Sequence, residues 1–188
     1  MILGFTGSLG SGKTTIADYL KKRGFNYITL SDLVREEAVK RNLPIEREIL
    51  QNTGNEMREK YGNNYWAKKA LEKINLNENW IIDGIRNIGE IEELKKIKEF
   101  ILLGFDAPFD ERLKRLIVRK KYYSERKISD PEDIEKIRKL EARDRGVNEP
   151  LFGQQVEKCL SLADYKIDTN SEIDDTIKKV EEILFKKI

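Results

Sequence analysis

A parallel β-sheet with helices on both faces is the fold class that the sequence predicts. Short apolar runs alternate with longer amphipathic ones, the pattern of strand–helix units. Three of those runs, "MILGFT" (1–6), "WIID" (80–83) and "FILLGF" (100–105), are nearly all apolar, as strands covered on both faces are. A glycine-rich stretch, "GSLGSGKTT" (7–15), stands between the first strand and the first helix.

The elements follow in order. Strand 1–6 leads into a helix over 14–22, where Ile16 and Leu20 are four apart and Gly24 supplies a stop. "FNYITL" (25–30) is the second strand, and "WIID" the third. Between them, residues 32–79 form a long, mainly polar and helical insertion. Ile88, Ile91, Leu94 and Ile97 mark a helix over 88–97, followed by strand 100–105. Leu113, Leu116 and Ile117 make the stripe of a helix over 109–121. "DYKID" (164–168) is the fifth strand, and Ile173, Ile177, Val180 and Leu184 define a closing helix over 172–187. Residues 119–145 hold 17 charged side chains, ten of them basic, and read either as a solvated helical hairpin or as a flap over a charged ligand.

Composition removes several chemistries. The chain of 188 residues has no histidine and one cysteine, Cys159. Ser–His and Cys–His pairs, Cys/His zinc sites and an intrachain disulfide are therefore excluded. Chemistry must run on carboxylates, Lys, Arg, hydroxyls, backbone groups and bound ions. The 36 basic and 34 acidic residues nearly cancel, which argues against nucleic acid or a membrane as the main partner. No apolar run reaches the ~18 residues of a membrane span, and no secretory signal is visible, so the expectation is a cytoplasmic monomer or homodimer.

The glycine-rich stretch satisfies G-x-x-x-x-G-K-[ST] with Gly7, Gly12, Lys13 and Thr14, after a buried strand and at a helix start. Glycines let successive N–H groups turn around phosphate oxygens, and the helix N-terminus adds its dipole. Gly7, Ser8, Gly10, Ser11, Gly12, Lys13, Thr14 and Thr15 are therefore the expected nucleotide cradle. Lys13 would reach the β- and γ-phosphates and the Thr14 hydroxyl a Mg²⁺. Asp83, closing "WIID", is the candidate second metal ligand.

The chain resembles the P-loop small-molecule kinases, specifically nucleoside monophosphate kinases and their dephospho-coenzyme A kinase relatives. The phosphate loop carries the likeness, together with "ITLSDLVREEA", "IIDGIRNIGEIEEL" and "LLGFDAPFDERLKRLIVRK". "EARDRG" and "FGQQVEKCLSLADYKIDTN" are similar to archaeal kinase-like proteins of unassigned substrate and to the kinase half of deoxycytidylate-deaminase fusions. The resemblance implies a three-layer P-loop NTPase fold with a five-stranded parallel sheet. It divides the chain into a core (1–31, 80–118, 146–188), an acceptor-binding insertion (32–79) and a helical lid (119–145). It implies Asp32 and Arg35 in the acceptor pocket, Arg86 on the acceptor's phosphate and Arg119 on the phosphates of ATP. Arg86 follows Gly84 after one residue, where the family pattern has two. ATP and Mg²⁺ are the implied cofactors, and Lys13, Asp32, Arg86 and Arg119 the catalytic set. A nucleoside or deoxynucleoside monophosphate is the leading acceptor. Dephospho-coenzyme A is the alternative, with Asp32 as base, and a nucleotide-dependent switch is the rival from another class. Arg143 and Arg145 read as surface charges, Trp66 and Tyr65 as core of the insertion, and Cys159 as a buried small hydrophobe.

Overall fold

In the computed structural model, residues 1–123 and 131–185 are described, with side chains for 1–118 and 133–185. The strands are β1 (Ile2–Thr6), β2 (Asn26–Thr29), β3 (Trp80–Ile85), β4 (Phe100–Asp106) and β5 (Tyr165–Asp168). They form one parallel sheet in the order β2-β3-β1-β4-β5. The first strand in sequence is thus the central one, and the loop that leaves it sits mid-sheet.

The period of two along each strand divides the core between two faces. Ile2, Ile82 and Leu102 pack on one face, with Leu33 of α2 (Leu30–Lys40), Met57 of α3 (Arg47–Tyr61) and Trp66 of α4 (Tyr65–Leu71). Ile91 of α5 (Ile88–Leu94) and Cys159 of α8 (Val156–Ser161) complete that layer. Their sequence neighbours Leu3, Ile81 and Leu103 point the other way. They meet Ile16 and Leu20 of α1 (Lys13–Lys21) and Val180 of α9 (Ile173–Phe185). Helices on both faces are the three-layer arrangement expected from the sequence. Trp66 and Cys159 are fully packed, Trp66 also donating its indole N–H to the Gly54 carbonyl at 3.0 Å.

Several boundaries move, and the helix expected over 88–97 already ends at Leu94. β3 runs two residues past the expected 83, because Ile85 still pairs with Thr6 beyond a register shift in β1. Asp83 therefore lies inside the strand, beside Phe5 of β1 and Thr29 of β2. β2 stops at Thr29, whose side chain accepts from the Asp32 N–H and caps α2. Asp32 consequently belongs to the first turn of a helix, not to a strand end. The expected helix 109–121 is α6 (Phe109–Tyr123), and α7 (Pro131–Arg145) occupies the second half of the 119–145 stretch. Residues 124–130, the middle of that stretch, lie outside the described residues.

One buried ion pair ties α3 of the insertion to α5. Glu90 and Arg58 are 0% and 3% exposed, with Oε1 accepting from Arg58 Nε at 2.8 Å. Glu90 Oε2 accepts from the N–H groups of Arg86 and Asn87, and Asn87 caps α5. Removing one partner of a buried pair leaves the other charge uncompensated. Glu90→Ala is accordingly expected to cost about 3–5 kcal/mol in urea unfolding. A loss below 1 kcal/mol would contradict this account.

Candidate functional site

The β1–α1 loop is shaped by close approach. Gly7 has φ 138°, and a Cβ placed on it would lie 2.1 Å from the Phe105 carbonyl oxygen. No side chain fits there, so β4 packs directly against the loop. Three of the loop's carbonyls meet fixed donors. Arg112 Nη1 reaches the Leu9 oxygen at 3.2 Å and Arg115 Nη1 the Gly10 oxygen at 3.3 Å. The Thr169 hydroxyl donates to the Ser11 oxygen at 3.1 Å. The carbonyls of Gly7 and Ser8 instead face the Lys13 ammonium. α1 begins at Gly12 in the left-handed region, with no side-chain cap and no acidic residue in its first turn. Its N-terminus is left to an anion. Ser8 Oγ, in a residue 1% exposed, has no hydrogen-bond partner.

Lys13 lies across this loop. Its ammonium donates to the Gly7 oxygen at 2.6 Å, the Ser8 oxygen at 2.9 Å and Ser11 Oγ at 3.1 Å. Burial pushes it down from 10.5 to about 8, with Arg86 and Arg47 adding to the fall and the Asp83 and Asp144 carboxylates opposing it. It remains an ammonium at neutral pH, as three acceptors around one nitrogen demand. Thr14 and Thr15 are exposed to the cleft.

Asp83 is 7% exposed and accepts from the Tyr27 hydroxyl at 2.8 Å and from the Gly84 N–H at 2.6 Å. Burial, then the adjacent carboxylate, pushes the Tyr27 phenol up, so Tyr27 stays a proton donor. Each carboxylate oxygen keeps a further lone pair for a cation.

The other half of the cleft is built from arginines. One cavity of about 760 Å³ is lined by Lys13, Thr14 and Asp83 and also by Asp32, Arg35, Arg47 and Arg86. A smaller cavity of about 230 Å³ continues it between α2 and α3. Apolar Leu30, Val34, Ile45 and Leu50 form part of its wall, and Arg35, Arg47, Arg58 and Arg86 its charged part. Asp32 and Arg35 pair with each other, both about half exposed. Arg86 Nη1 reaches Asp144 Oδ1 at 3.0 Å and Gln154 Oε1 at 3.2 Å. Arg47 pairs with the second oxygen of the same carboxylate, which is 2% exposed. Burial pushes the Asp144 carboxyl up, but the Arg86 and Arg47 guanidiniums outweigh it and hold the group below its ordinary value.

A family described as AAA domain matches residues 3–141, from β1 into α7. A UPF0200/UPF0201 protein of Archaeoglobus fulgidus is 31% identical over 98% of this chain, which spans 55% of that protein's length. A UPF0200 protein of Sulfurisphaera tokodaii is 34% identical, over 97% of this chain and 95% of its own length. The chain belongs to the UPF0200 family of AAA-domain P-loop proteins. A shikimate kinase of Acinetobacter baumannii superposes with a TM-score of 0.54, covering 100% of this chain and 94% of its own, at 19% identity. The Aquifex aeolicus shikimate kinase gives 0.52 at 17% identity, covering 100% of this chain and 98% of its own. At such identity the likeness concerns the fold, which is P-loop kinase-like.

The structure brings Gly10, Ser11, Gly12, Lys13, Thr14 and Thr15 of the loop to one cleft with Asp83, Asp32, Arg35 and Arg86, whereas Gly7 and Ser8 do not line it. Arg119 lies on α6, and its side chain falls outside the described residues. Arg115 holds Gly10 and Thr169. Arg143 and Arg145 are not free surface charges. Arg143 pairs with the 8%-exposed Glu149, and Arg145 with Asp106, Glu141 and Glu157. Sequence reasoning passed over Arg47, Gln51, Asp144 and Tyr27. A signal existed for the first two: Arg47, Gln51, Asn55 and Arg58 follow helical spacing and form one polar face of α3. Asp144 and Tyr27 gain their partners only through tertiary contact.

The lowered Lys13 value has a consequence with a definite sign. The unfolded chain holds this proton up to about 10.5 and the folded one only to about 8. Between those values the unfolded state binds more protons, so the folded state gains stability as pH rises. In urea titrations the wild type is expected to gain on Lys13→Met from pH 8 to 10.5. Parallel curves would refute the shift.

Proposed function

We propose that this protein transfers the γ-phosphoryl group of ATP to the phosphate of a small nucleotide, most simply a nucleoside or deoxynucleoside monophosphate. The observation that carries the reading is the shared cleft: the phosphate loop and a cluster of arginines face one continuous cavity. A switch needs the first half only. The second half, an apolar wall beside guanidiniums, suits an acceptor with a flat body and an anionic group.

The residues present fit the nucleotide and its metal. The unpartnered Ser8 hydroxyl and the uncapped helix suit phosphate oxygens. Thr14 and Asp83 would hold Mg²⁺, which commonly takes few protein ligands and completes its shell with phosphates and water. Mg²⁺, when bound, neutralises charge on the β- and γ-phosphates. Lys13 would swing from the loop carbonyls onto the transferred group, its ammonium strengthened by the anion it meets. Arg86 and Arg35 would grip the acceptor, Arg119 the ATP phosphates, and α6–α7 would cover the reaction as a lid. Catalysis is then positioning and charge neutralisation, and an anionic acceptor needs no strong base.

A hydroxyl acceptor such as dephospho-coenzyme A is the second reading, favoured by the exposed Asp32 carboxylate within the cleft. It would take the hydroxyl proton as general base.

The test is ADP formation from Mg-ATP with a panel of nucleoside monophosphates, deoxynucleotides and dephospho-coenzyme A. One acceptor class is expected to stimulate turnover, and Lys13→Ala to lower it ~10²–10³-fold. Turnover indifferent to every acceptor, or to Lys13, would sink the kinase reading. Arg86→Ala should raise the KM of a phosphate acceptor. Asp32→Asn should instead lower kcat if the acceptor is a hydroxyl.

A further inference from the structure

The arginines of the smaller cavity differ in how their charge is met. Arg58 has its own buried carboxylate, Glu90, and Arg35 its own exposed one, Asp32. Arg47 and Arg86 share a single carboxylate, Asp144. Two guanidiniums against one carboxylate leave one positive charge unmet, beside a cavity that both arginines line.

The donors around Asp144 form an anion site. Arg47 binds one carboxylate oxygen, and the other accepts from Arg86 Nη1 at 3.0 Å and Gln51 Nε2 at 2.6 Å. Gln51 also donates to the Leu140 oxygen at 3.2 Å, which fixes the sense of its amide. Its Oε1, in a residue 2% exposed, and Arg47 Nε are both left without partners. A carboxylate that leaves the Arg47 Nε donor unpaired is a poor final occupant of its site, and the Gln51 oxygen asks for a donor elsewhere on the incoming molecule. Asp144 comes from α7, an element of the lid stretch, and does not itself line the cavity, whereas Arg47 and Arg86, which do, belong to α3 and to the β3–α5 turn.

We propose that Asp144 is an internal stand-in for the acceptor's phosphate, and that the incoming phosphate takes Arg47 and Arg86 over from it. The proposal rests on the reading that this cavity receives the acceptor's anion. It assigns Arg47 as a ligand of that phosphate and makes Asp144 a specificity-determining residue. A phosphate dianion brings more charge and more acceptor oxygens than a carboxylate, so it can win two guanidiniums from Asp144. A neutral or singly charged competitor cannot. Acceptor binding and the position of α7 then become linked through one side chain.

The experiment is calorimetric titration of AMP, and separately of inorganic phosphate, with the loop saturated by the non-hydrolysable analogue AMP-PNP and Mg²⁺. Asp144→Asn keeps the shape and removes the competing charge. Its Kd for both probes should fall on the order of tenfold. Its melting temperature should drop without phosphate and recover more than the wild type's when phosphate is added. Unchanged or weaker binding of both probes by Asp144→Asn would overturn the proposal and leave Asp144 as a positioning residue. Should that variant fail to fold, Arg47→Gln supplies the decision. It should weaken phosphate binding at least tenfold, and unaltered binding would overturn the proposal. Phosphate that follows these expectations while AMP does not bind would retain the proposal and remove the nucleotide acceptor instead.

Discussion

The site depends on one buried carboxylate, Glu90. Its two oxygens serve different parts of the molecule. One neutralises Arg58 and so fastens α3 to α5; the other accepts the N–H groups of Arg86 and Asn87 and shapes the β3–α5 turn. The Arg86 carbonyl in turn accepts from the Gln155 N–H at 2.6 Å, and the Asn87 side chain donates to the carbonyls of Leu151 and Gly153. Arg86 is therefore held on both sides of its own backbone. The turn that carries the side chain is fixed, and the guanidinium itself is held by Asp144 and Gln154. Fixed geometry of this kind is what distinguishes a recognition group from a surface charge.

The same economy of charge governs the rest of the cleft. The loop of β1 and α1 has no carboxylate in its first helical turn, and its carbonyls are taken by Arg112, Arg115 and Thr169. Those anchors come from α6 and from the segment after β5, so the loop is set by the C-terminal half of the chain. Arg112 also pairs with Glu141 of α7, and Arg145 of α7 with Asp106 at the end of β4. Ion pairs therefore connect α7 with both the donor loop and the acceptor arginines. A helix held largely by charge responds to the arrival of charged ligands more readily than one held by an apolar core.

Much of this was legible in the sequence because it is local. The strands, the helices and the phosphate loop follow from apolar period, glycine placement and a contiguous motif. The helical insertion between β2 and β3 was visible as length and polarity. What local pattern could not give was pairing across the chain. The second strand looked as if it ran to Leu30 because "ITL" is apolar, yet Thr29 caps a helix there and wins the backbone. Arg145 looked like one charge among many on a charged helix, and its partners lie 39 residues away at Asp106 and 12 away at Glu157. Asp144 is one acid in a run of acids and bases. Only folding puts it, of all of them, between Arg47 and Arg86.

Unsatisfied polarity gives an independent view of the same site. Among the described residues, the buried side-chain atoms without a partner are Ser8 Oγ, Arg47 Nε, Gln51 Oε1 and Trp80 Nε1. Each such atom costs about 1–3 kcal/mol, so a fold retains few of them without compensation. Ser8 belongs to the phosphate loop, and Arg47 and Gln51 to the arginine cavity. Three of the four thus divide between the donor and acceptor halves, while the sheet and its two apolar layers have nearly all their polar groups paired. Strain confined in this way has a chemical meaning. A phosphate at Ser8 and an anion with a hydrogen-bond donor at Arg47 and Gln51 would satisfy all three. The loop's deficit is a donor hydroxyl, and the cavity's is one donor together with one acceptor. The two halves therefore ask for different chemical groups, as the proposed transfer between two ligands would need.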